Sequence, residues 1–427
     1  MTDLIIPAES PALNQLKAGR RDLWARRTIF TVLHKLKYGR IRIFEDSQHH
    51  IFGGTNQAPP LEATVNVHHP RFYSRILFNG SIGAAEAYME GLWSADDLTT
   101  VMRIMALNQP VFTEMEKGLA RLTSPLYRLY HYARKNTKIG SRRNILAHYD
   151  LGNDFYALFL DPSMTYSCGI FATDGSTMEE ASTAKYDRIC KKLQLAPGDR
   201  VMEIGTGWGG FALHAVQHYD VYVTTTTISD EQYRFAKERF HQAGVEDRIT
   251  LLRKDYRDLN GQFDKLVSIE MIEAVGHHYV DAFFKTCGQL LKDDGMMLLQ
   301  AITIRDQEFN RYTRSVDFIK RYIFPGGCLT SIESMVASIT RTTDMTLFHL
   351  EDLTPHYART LREWRRAFFE NIDKVRALLF PETFIRMWEY YLCYCEGGFA
   401  ERYIGDVQML LTKPLCRRVS LLPPLAA

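Results

Sequence analysis

The sequence predicts an α/β protein whose larger part is a mainly parallel sheet with helices on both faces. From about residue 144 onward, short apolar runs of strand type alternate with amphipathic runs of helix type. The first of these strands leads into a glycine-rich loop, "RVMEIGTGWGGFA" (200–212). Ligands of such sheets bind beyond the carboxyl ends of the strands, so this loop marks the expected site.

The expected strands and helices follow one another in a regular order. The strand candidates are RVMEIGT, VYVTTTTIS, RITLLRKD, FDKLVSIEM and DGMMLLQAIT. The segments GGFALHAVQHY and YVDAFFKTCGQLL are predicted to be helical. A further helix is expected after Ser229, which forms a capping box with Gln232, and Gly244 ends that helix.

Length and composition divide the chain into four segments. Its 427 residues, 46% of them hydrophobic, are enough for two domains. We expect a poorly patterned peripheral segment at 1–40, a small N-terminal α+β domain at 41–117, a basic linker at 118–143 and the α/β domain at 144–427. The linker stands out because no Asp or Glu occurs from 118 to 149.

Composition also excludes several classes of protein. No run approaches the roughly 20 apolar residues of a membrane-spanning helix, and the first residues lack the pattern of a secretory signal. The seven cysteines are scattered and form no C-x-x-C pair, which argues against a zinc site or a disulfide framework. His277 and His278 have no metal-ligand spacing. We therefore expect a reduced, cytoplasmic protein without a metal.

Two basic stretches carry interleaved aromatic and apolar residues, one at 118–149 and one at 26–44. The net charge is only +2, from 52 basic and 50 acidic residues, so the basic character is local. Cations and rings together suit an anionic lipid surface, and they suit a nucleic-acid backbone about equally well. A solvated linker face is the plainer alternative, and charge alone does not decide between the three.

The glycine loop favours S-adenosylmethionine (SAM) over a dinucleotide. Dinucleotide sites usually read G-x-G-x-x-G and hold pyrophosphate at the helix start. Here Trp208 stands where a phosphate needs open backbone, and Glu203 precedes Gly205 and Gly207 as in the E/D-x-G-x-G loops that hold SAM. Glycine at these positions lets backbone approach a ligand that carries a sulfonium cation and no phosphate.

Residues after the next strands are candidates for the rest of the cofactor site. Asp255 and Tyr256 follow the third strand, where they could hydrogen-bond and cover an adenine. The second strand ends in Thr226, Thr227 and Ile228 instead of the usual acid for the ribose hydroxyls. Gln232 either takes that task or serves only in the capping box.

The acceptor of the methyl group is unlike a nucleic acid. Amino-group methyltransferases of nucleic acids carry a D/N-P-P-Y/F/W loop after the fourth strand, but this chain reads "SIEMIEAVGHH". No Pro-Cys nucleophile for base carbons is present either. A carboxylate, Glu273, takes the place near the donor methyl. The sequence therefore predicts no nucleic-acid partner.

Several motifs together resemble the cyclopropane-fatty-acyl-phospholipid synthases. They are the N-terminal NGSIGAAEAYMEGLWSADDL, then HYDLGNDFYALFLDPSMTYSCGIF, EIGTGWGG, KDYRDL, YIFPGGCL and EDLTPHYARTLREW. The resemblance covers roughly residues 45 to 415, in order. The resemblance implies a Rossmann-like class I SAM-dependent methyltransferase domain. It also implies transfer of a methylene from SAM to the cis double bond of unsaturated phospholipid acyl chains, through a carbocation that bound bicarbonate deprotonates. The family further suggests a homodimer. We expect peripheral association with the inner face of the cell membrane, where the stretch 118–149 or the stretch 26–44 would hold the protein on an anionic bilayer.

The resemblance assigns roles to individual residues. The bicarbonate cage is carried over as the backbone of Cys168 with Glu273, Gln300, Ile302 and Tyr357, and Cys395 matches a cysteine often marked as active. The SAM contacts carried over are Tyr166, Ser167, Gly205, Gly207, Thr227, Ile228, Gln232, Asp255 and Tyr256. Alternatives remain: Tyr357 as a core tyrosine, Cys168 as an ordinary buried residue and Cys395 as a structural thiol.

Two departures from the family pattern concern the product. Gln300 stands where many members have His, and Ile272-Glu273-Ala274 stands where they have Phe-Glu-His. Glutamine still donates to an oxygen but cannot carry a proton charge at neutral pH. A fatty-acyl methyltransferase that makes a methyl-branched or methylidene product is therefore the nearer alternative, and a non-catalytic lipid-binding relative is the more distant one.

Overall fold

The computed structural model describes residues 19–54, 60–117 and 151–419. The small domain is built first along the chain. Its elements are α1 (Arg20–Leu33), β1 (Arg40–Glu45), β2 (Gln48–Gly53), β3 (Glu62–Val67), α2 (Arg71–Met89), β4 (Trp93–Ala95), α3 (Leu98–Leu107) and α4 (Gln109–Lys117). The four strands form one sheet in the order β2-β1-β3-β4, in which β1 runs parallel to β3.

The first helix belongs to this small domain. Ala25, Ile29 and Leu33 recur at helical spacing on one face of α1, and all three are buried. That face packs on α2, and it joins the same core as strands β1 to β3. The segment that we expected to be peripheral up to residue 40 thus contributes a helix with a buried apolar face.

The large domain follows in alternating strands and helices. Its elements are α5 (Asn153–Tyr156), α6 (Met178–Leu193), β5 (Arg200–Ile204), α7 (Gly210–Tyr219), β6 (Tyr222–Thr226), α8 (Asp230–Gln242), β7 (Ile249–Leu252), β8 (Phe263–Ile269), α9 (Val280–Leu290), β9 (Leu291–Ile304), α10 (Asp306–Tyr312), α11 (Ile332–Thr342), β10 (Thr346–Asp352), α12 (Thr354–Glu370), α13 (Ile372–Ala377), α14 (Glu382–Ala400) and β11 (Ile404–Thr412). The predicted strands and helices are all present in this order.

The large sheet confirms the predicted fold class. Seven strands run in the order β10-β11-β9-β8-β5-β6-β7, and the five from β9 to β7 are mutually parallel. Strands β10 and β11 complete the other edge in antiparallel pairing. The order reverses at β5, between β8 and β6, which is the point where ligands bind in open α/β sheets.

Helix α14 joins the two domains. It packs on α2 and α3 of the small domain as well as on α12. Hydrogen bonds cross this contact: the Tyr88 hydroxyl donates to Glu389 (2.7 Å), and Thr99 donates to Glu396 (3.1 Å). Both domains therefore contribute to one continuous core. Among the described residues, no helix is both long and apolar enough to cross a membrane.

Candidate active site

One cavity of about 870 Å³ runs from the glycine loop to the small domain. At one end it meets the carboxyl ends of β5, β6 and β8, where the loop and several acids lie. At the other end α2, α3 and α4 contribute mainly apolar side chains, beside the polar Asn79, Ser81, Gln109 and Thr113. The apolar ones include Ile76, Val101, Met102, Met105 and Phe112. A single cavity thus has a polar end and an apolar end.

The glycines of the loop divide into two groups. At Gly207 (φ +53°), an added Cβ would meet no atom within 4 Å, so bare backbone faces the cavity. At Gly209 an added Cβ would lie 2.8 Å from the Phe240 ring, and at Gly210 it would lie 2.5 Å from the Tyr186 hydroxyl. Gly207 is therefore open to a ligand, whereas Gly209 and Gly210 pack against the protein.

All ten residues predicted to bind the cofactor line this cavity, namely Tyr166, Ser167, Glu203, Gly205, Gly207, Thr227, Ile228, Gln232, Asp255 and Tyr256. The predicted capping box requires a hydrogen bond between the Gln232 side chain and the backbone of Ser229, and the Gln232 side chain does not make it. Its Oε1 instead accepts from the Thr227 hydroxyl (2.9 Å), because Gln232 is turned toward the end of β6.

The neighbouring acids and hydroxyls differ in their hydrogen-bond partners. Asp255 holds Arg257 through two hydrogen bonds of 2.7 Å. Within the described part of the chain, the buried Tyr256 hydroxyl has no hydrogen-bond partner. Glu203 accepts from Thr225 (2.6 Å), and burial raises its pKa to about 8. Open backbone at Gly207 and a polar group awaiting a partner at Tyr256 fit a SAM molecule.

Glu270, which the sequence pattern did not single out, accepts hydrogen bonds at both of its carboxylate oxygens. Its Oε1 accepts from the Cys168 amide (2.9 Å) and from Gln300 Nε2 (2.7 Å). Its Oε2 accepts from the Tyr357 hydroxyl (2.6 Å). Glu270 lines the cavity, whereas Cys168 and Gln300 are fully buried behind it. The Tyr357 ring is fixed by stacking on Phe399, with centroids 4.2 Å apart.

These contacts involve the donors that we expected to hold bicarbonate. Three of the four donors, from Cys168, Gln300 and Tyr357, are bonded to Glu270. The fourth, the amide of Ile302, donates to Glu273 Oε1 (2.6 Å). The residues present therefore do not fit a bicarbonate ion in this cage, because two carboxylates of the chain already satisfy its donors.

Three buried acids share this end of the cavity, and their environments differ. Burial and the charge of Glu270 raise the pKa of Glu273 to about 8. Burial, with the charges of Glu270 and Glu273, raises the pKa of Asp406 well above its usual value. Burial also raises the pKa of Glu270, but the Lys185 charge and three hydrogen bonds oppose that rise. The pKa of Glu270 stays above its usual value, while the Lys185 charge and the three hydrogen bonds stabilise its ionised form.

A chain of polar side chains fixes the direction of the Gln300 amide. Lys192 Nζ, which can only donate, bonds Gln408 Oε1 (2.7 Å). Gln408 Nε2 then donates to Gln300 Oε1 (3.0 Å), which leaves Gln300 Nε2 to donate to Glu270. The carboxylate of Glu351 holds Lys192 from the other side (2.5 Å). This relay therefore presents an N–H group, and no proton acceptor, to Glu270.

Aromatic rings form the wall between the two ends of the cavity. The hydroxyls of Tyr166 and Tyr391 lie 2.9 Å apart in a hydrogen bond, and both side chains line the cavity with Phe324. Cys395 lines the same wall from α14, and burial raises the pKa of its thiol. A neutral thiol of this kind is no nucleophile, which favours a structural role for Cys395.

The parallel sheet with its ligand loop at the β5 switch point defines a class I SAM-dependent methyltransferase. The family described as mycolic acid cyclopropane synthetase matches residues 136–409, and the chain belongs to this family. The resemblance seen in the sequence motifs is thereby confirmed.

Individual relatives place the chain more closely. It is similar to the tuberculostearic acid methyltransferase UfaA1 of Mycobacterium tuberculosis, with 36% identity over 368 residues, covering 84% of this chain and 85% of the relative. It is 37% identical to the cyclopropane-fatty-acyl-phospholipid synthase of Escherichia coli over 354 residues, covering 82% and 88%. The solved structure of mycolic acid cyclopropane synthase CmaA1 complexed with SAH and CTAB matches with a TM-score of 0.60 and 35% identity, covering 64% of this chain and 98% of that one.

Proposed function

We propose that the protein transfers a methylene group from SAM to the cis double bond of an unsaturated phospholipid acyl chain and so forms a cyclopropane ring. The observation that carries this proposal is the continuity of one cavity from the glycine loop to an apolar end in the small domain. An acyl chain lying in the apolar end brings a double bond toward the loop. The similarity to the Escherichia coli phospholipid synthase supports the same substrate class.

The residues of the chain have distinct tasks in this reaction. Bound SAM supplies an electrophilic methyl group on a sulfonium. The open backbone near Gly207 positions that group, and the cavity holds the weakly nucleophilic alkene in line with it. The faces of Tyr166, Phe324 and Tyr391 stabilise the positive charge that develops on the acyl chain. No step is assigned to bicarbonate, because the donors expected to hold it are occupied.

A methyl-branched or methylidene fatty acid is the second candidate product. It is favoured by the similarity to a tuberculostearic acid methyltransferase at 36% identity and with equally broad coverage. Both products start from the same methyl transfer. They differ in whether the cation closes a ring at once or first shifts a hydride.

Proton NMR of lipids after incubation with SAM and vesicles of cis-unsaturated phospholipid tests the proposal. We expect upfield signals of ring methylene protons. Vinylic signals with a branch would instead establish the second candidate, and unchanged lipid would refute both. Mass alone is not sufficient, because a cyclopropane and a methylidene chain have the same formula.

We also propose that the protein docks on anionic bilayers from the cytoplasmic side through the exposed face of α1. Leu23 and Trp24 are each 49% exposed there, and Arg20, Arg21 and Arg27 are exposed beside them. Apolar side chains between cations suit an anionic lipid surface. Two later cations of the 26–44 stretch, Arg40 and Arg42, are instead paired with Glu62 within the domain.

Sedimentation with vesicles tests this docking. Changing Arg20, Arg21 and Arg27 together to Glu is expected to abolish co-sedimentation with anionic vesicles. The control variant changes three exposed cations of the large domain to Glu. They are Lys191, Arg234 and Arg366. This variant is expected to co-sediment with anionic vesicles as the wild-type protein does. If both variants bind the vesicles equally, α1 is not the docking surface.

The basic linker lies outside the described residues and stays a prediction. Reversal of Arg134, Lys135, Arg142 and Arg143 in the same assay tests its contribution. The predicted homodimer is likewise a proposal, which mass determination in solution tests.

A further inference from the structure

The Glu270 carboxylate holds the position that an exogenous anion would need. It accepts three hydrogen bonds, of 2.6 to 2.9 Å, from a backbone amide, an amide side chain and a tyrosine hydroxyl. Converging donors of this kind are sites for an oxyanion such as a carboxylate or bicarbonate. Here the oxyanion is part of the chain and lies on the cavity wall.

The backbone supports a functional reason for this side chain. Glu270 has φ +48°, in the left-handed region that favours glycine. A non-glycine residue there carries strain of about 1 kcal/mol or more, which persists where the surrounding structure enforces it. Hydrogen bonds at both carboxylate oxygens and from the Glu270 amide to the Gln300 carbonyl (2.9 Å) enforce it here. These hydrogen bonds therefore hold both the strained backbone and the carboxylate of Glu270 in place.

We propose that Glu270 is the base of the reaction, in place of bicarbonate. Within the described part of the chain, Oε1 accepts two hydrogen bonds and Oε2 accepts one, so Oε2 retains one acceptor position. That oxygen belongs to a side chain that lines the cavity in which the acyl chain would lie. The inference rests on the proposed function, since it names the group that receives the proton of that reaction.

The step balances with the groups at hand. After methyl transfer, the former alkene carries a methyl group on one carbon and a positive charge on the next. A C–H bond of the added methyl breaks, and its electron pair closes the three-membered ring onto the cationic carbon. The proton goes to Glu270 Oε2. A methylidene product arises from the same proton loss after a hydride shift, so the base is the same for both candidate products.

The neighbours of Glu270 agree with this role. The relay from Lys192 through Gln408 turns an N–H group of Gln300 to Glu270, and a glutamine amide does not compete for a proton. Lys185, fully buried nearby, balances the negative charge of the ionised acid. Gln300, which departs from the family pattern, is therefore the hydrogen-bond donor that the Glu270 carboxylate needs.

The test compares wild-type protein and two variants in buffer freed of carbon dioxide and in the same buffer with added bicarbonate. The readout is methylated phospholipid by proton NMR, with SAM binding measured by calorimetry as a control for folding. Wild-type activity is expected to be the same in both buffers. Glu270→Gln is expected to lower kcat by about 10²-fold or more in both, the usual contribution of a general base, while SAM binding changes little.

Glu270→Gly supplies the decisive comparison. It removes the internal carboxylate, frees the three donors and relieves the positive φ. We expect a low rate in bicarbonate-free buffer that rises about ten-fold or more when bicarbonate fills the vacated donors. Glu45→Gln is the matched control, since Glu45 also accepts from a tyrosine at 2.6 Å but lies in the small domain. It is expected to keep wild-type rates in both buffers.

Other outcomes would overturn the assignment. Loss of wild-type activity on removal of bicarbonate, with recovery on its return, would make the dissolved ion the base. Full activity of Glu270→Gln would remove Glu270 from the chemistry, and a Glu270→Gly variant indifferent to bicarbonate would show that Glu270 does not fill an anion site. If the wild-type protein makes no methylated lipid in either buffer, the proposed function itself fails, and the base assignment with it.

Discussion

The two ends of the cavity are built by opposite means. At the sheet end, several acids are held by short hydrogen bonds, as Glu270 is by Tyr357 and Gln300. At the small-domain end, side chains such as Met102 and Met105 contribute only apolar surface. Hydrogen bonds fix one geometry, whereas apolar packing tolerates exchange of similar volumes. The difference indicates that the chemistry is set at the first end and the choice of acyl chain at the second.

The largest effect is expected at the sheet end, from Tyr357→Phe. The change removes one donor from the ionised Glu270, and a hydrogen bond to a charged group contributes about 1.5–3 kcal/mol. We expect kcat to fall by roughly 10- to 100-fold with SAM binding unchanged. The acidic limb of the pH–rate profile should move to higher pH, because the ionised form of Glu270 loses a stabilising donor.

The matched control for this change is Tyr73→Phe. The Tyr73 hydroxyl donates to Glu45 at the same 2.6 Å, but this pair lies in the core of the small domain. We expect wild-type kcat and an unshifted pH profile. If both variants lose activity equally, the effect of Tyr357 is one of stability, and the contrast between the two ends fails.

A smaller effect, on selectivity, is expected at the small-domain end from Met105→Trp. The larger ring fills part of the apolar end, so longer acyl chains should lose about ten-fold in kcat/KM relative to shorter ones, the usual scale for a misfit in a hydrophobic pocket. Product analysis with mixed-chain vesicles measures it. Leu379→Trp, at an exposed site, serves as the control. A uniform loss for all chains would contradict a role in selection.

The last effect concerns stability near neutral pH, and not the catalysed reaction. The pKa of Glu273 is raised to about 8 by burial and by the Glu270 charge, so folding favours its protonated form. Its contribution to stability is complete below the pKa of the unfolded chain, near 4.5, and is lost as pH rises toward 8. Between pH 5 and 8, wild-type stability should therefore fall by roughly 3 kcal/mol more than that of Glu273→Gln, in which Asp406 and Glu270 still titrate. Urea midpoints measure the difference, and parallel curves would contradict it.

Much of this arrangement follows from the sequence. The strand pattern and the loop containing Gly205 and Gly207 predict the sheet and the cofactor end, because both depend on local spacing. The resemblance also pointed to Tyr357 and Gln300. The sequence pattern did not predict that α1, which begins at Arg20, packs in the small domain, because only three apolar residues form its buried face.

Glu270 was missed for a physical reason. It lies within the motif "SIEM", directly after strand β8, and three residues before the acid that the resemblance singled out. Its importance depends on a positive φ and on donors from segments up to 102 residues away, such as Cys168. Neither is visible in local spacing. One signal was available: a second acid near Glu273 in a chain that has Gln300 in place of a histidine.

The tethering of Glu270 has a consequence for the conditions under which the protein works. A dissolved ion occupies its site in proportion to its concentration, and bicarbonate is depleted in acid as it turns into carbon dioxide. A carboxylate fixed in the chain has an effective concentration set by geometry alone, which for well-oriented groups reaches about 10⁵ M or more. The reaction would then proceed at a rate indifferent to the supply of carbon dioxide around the cell.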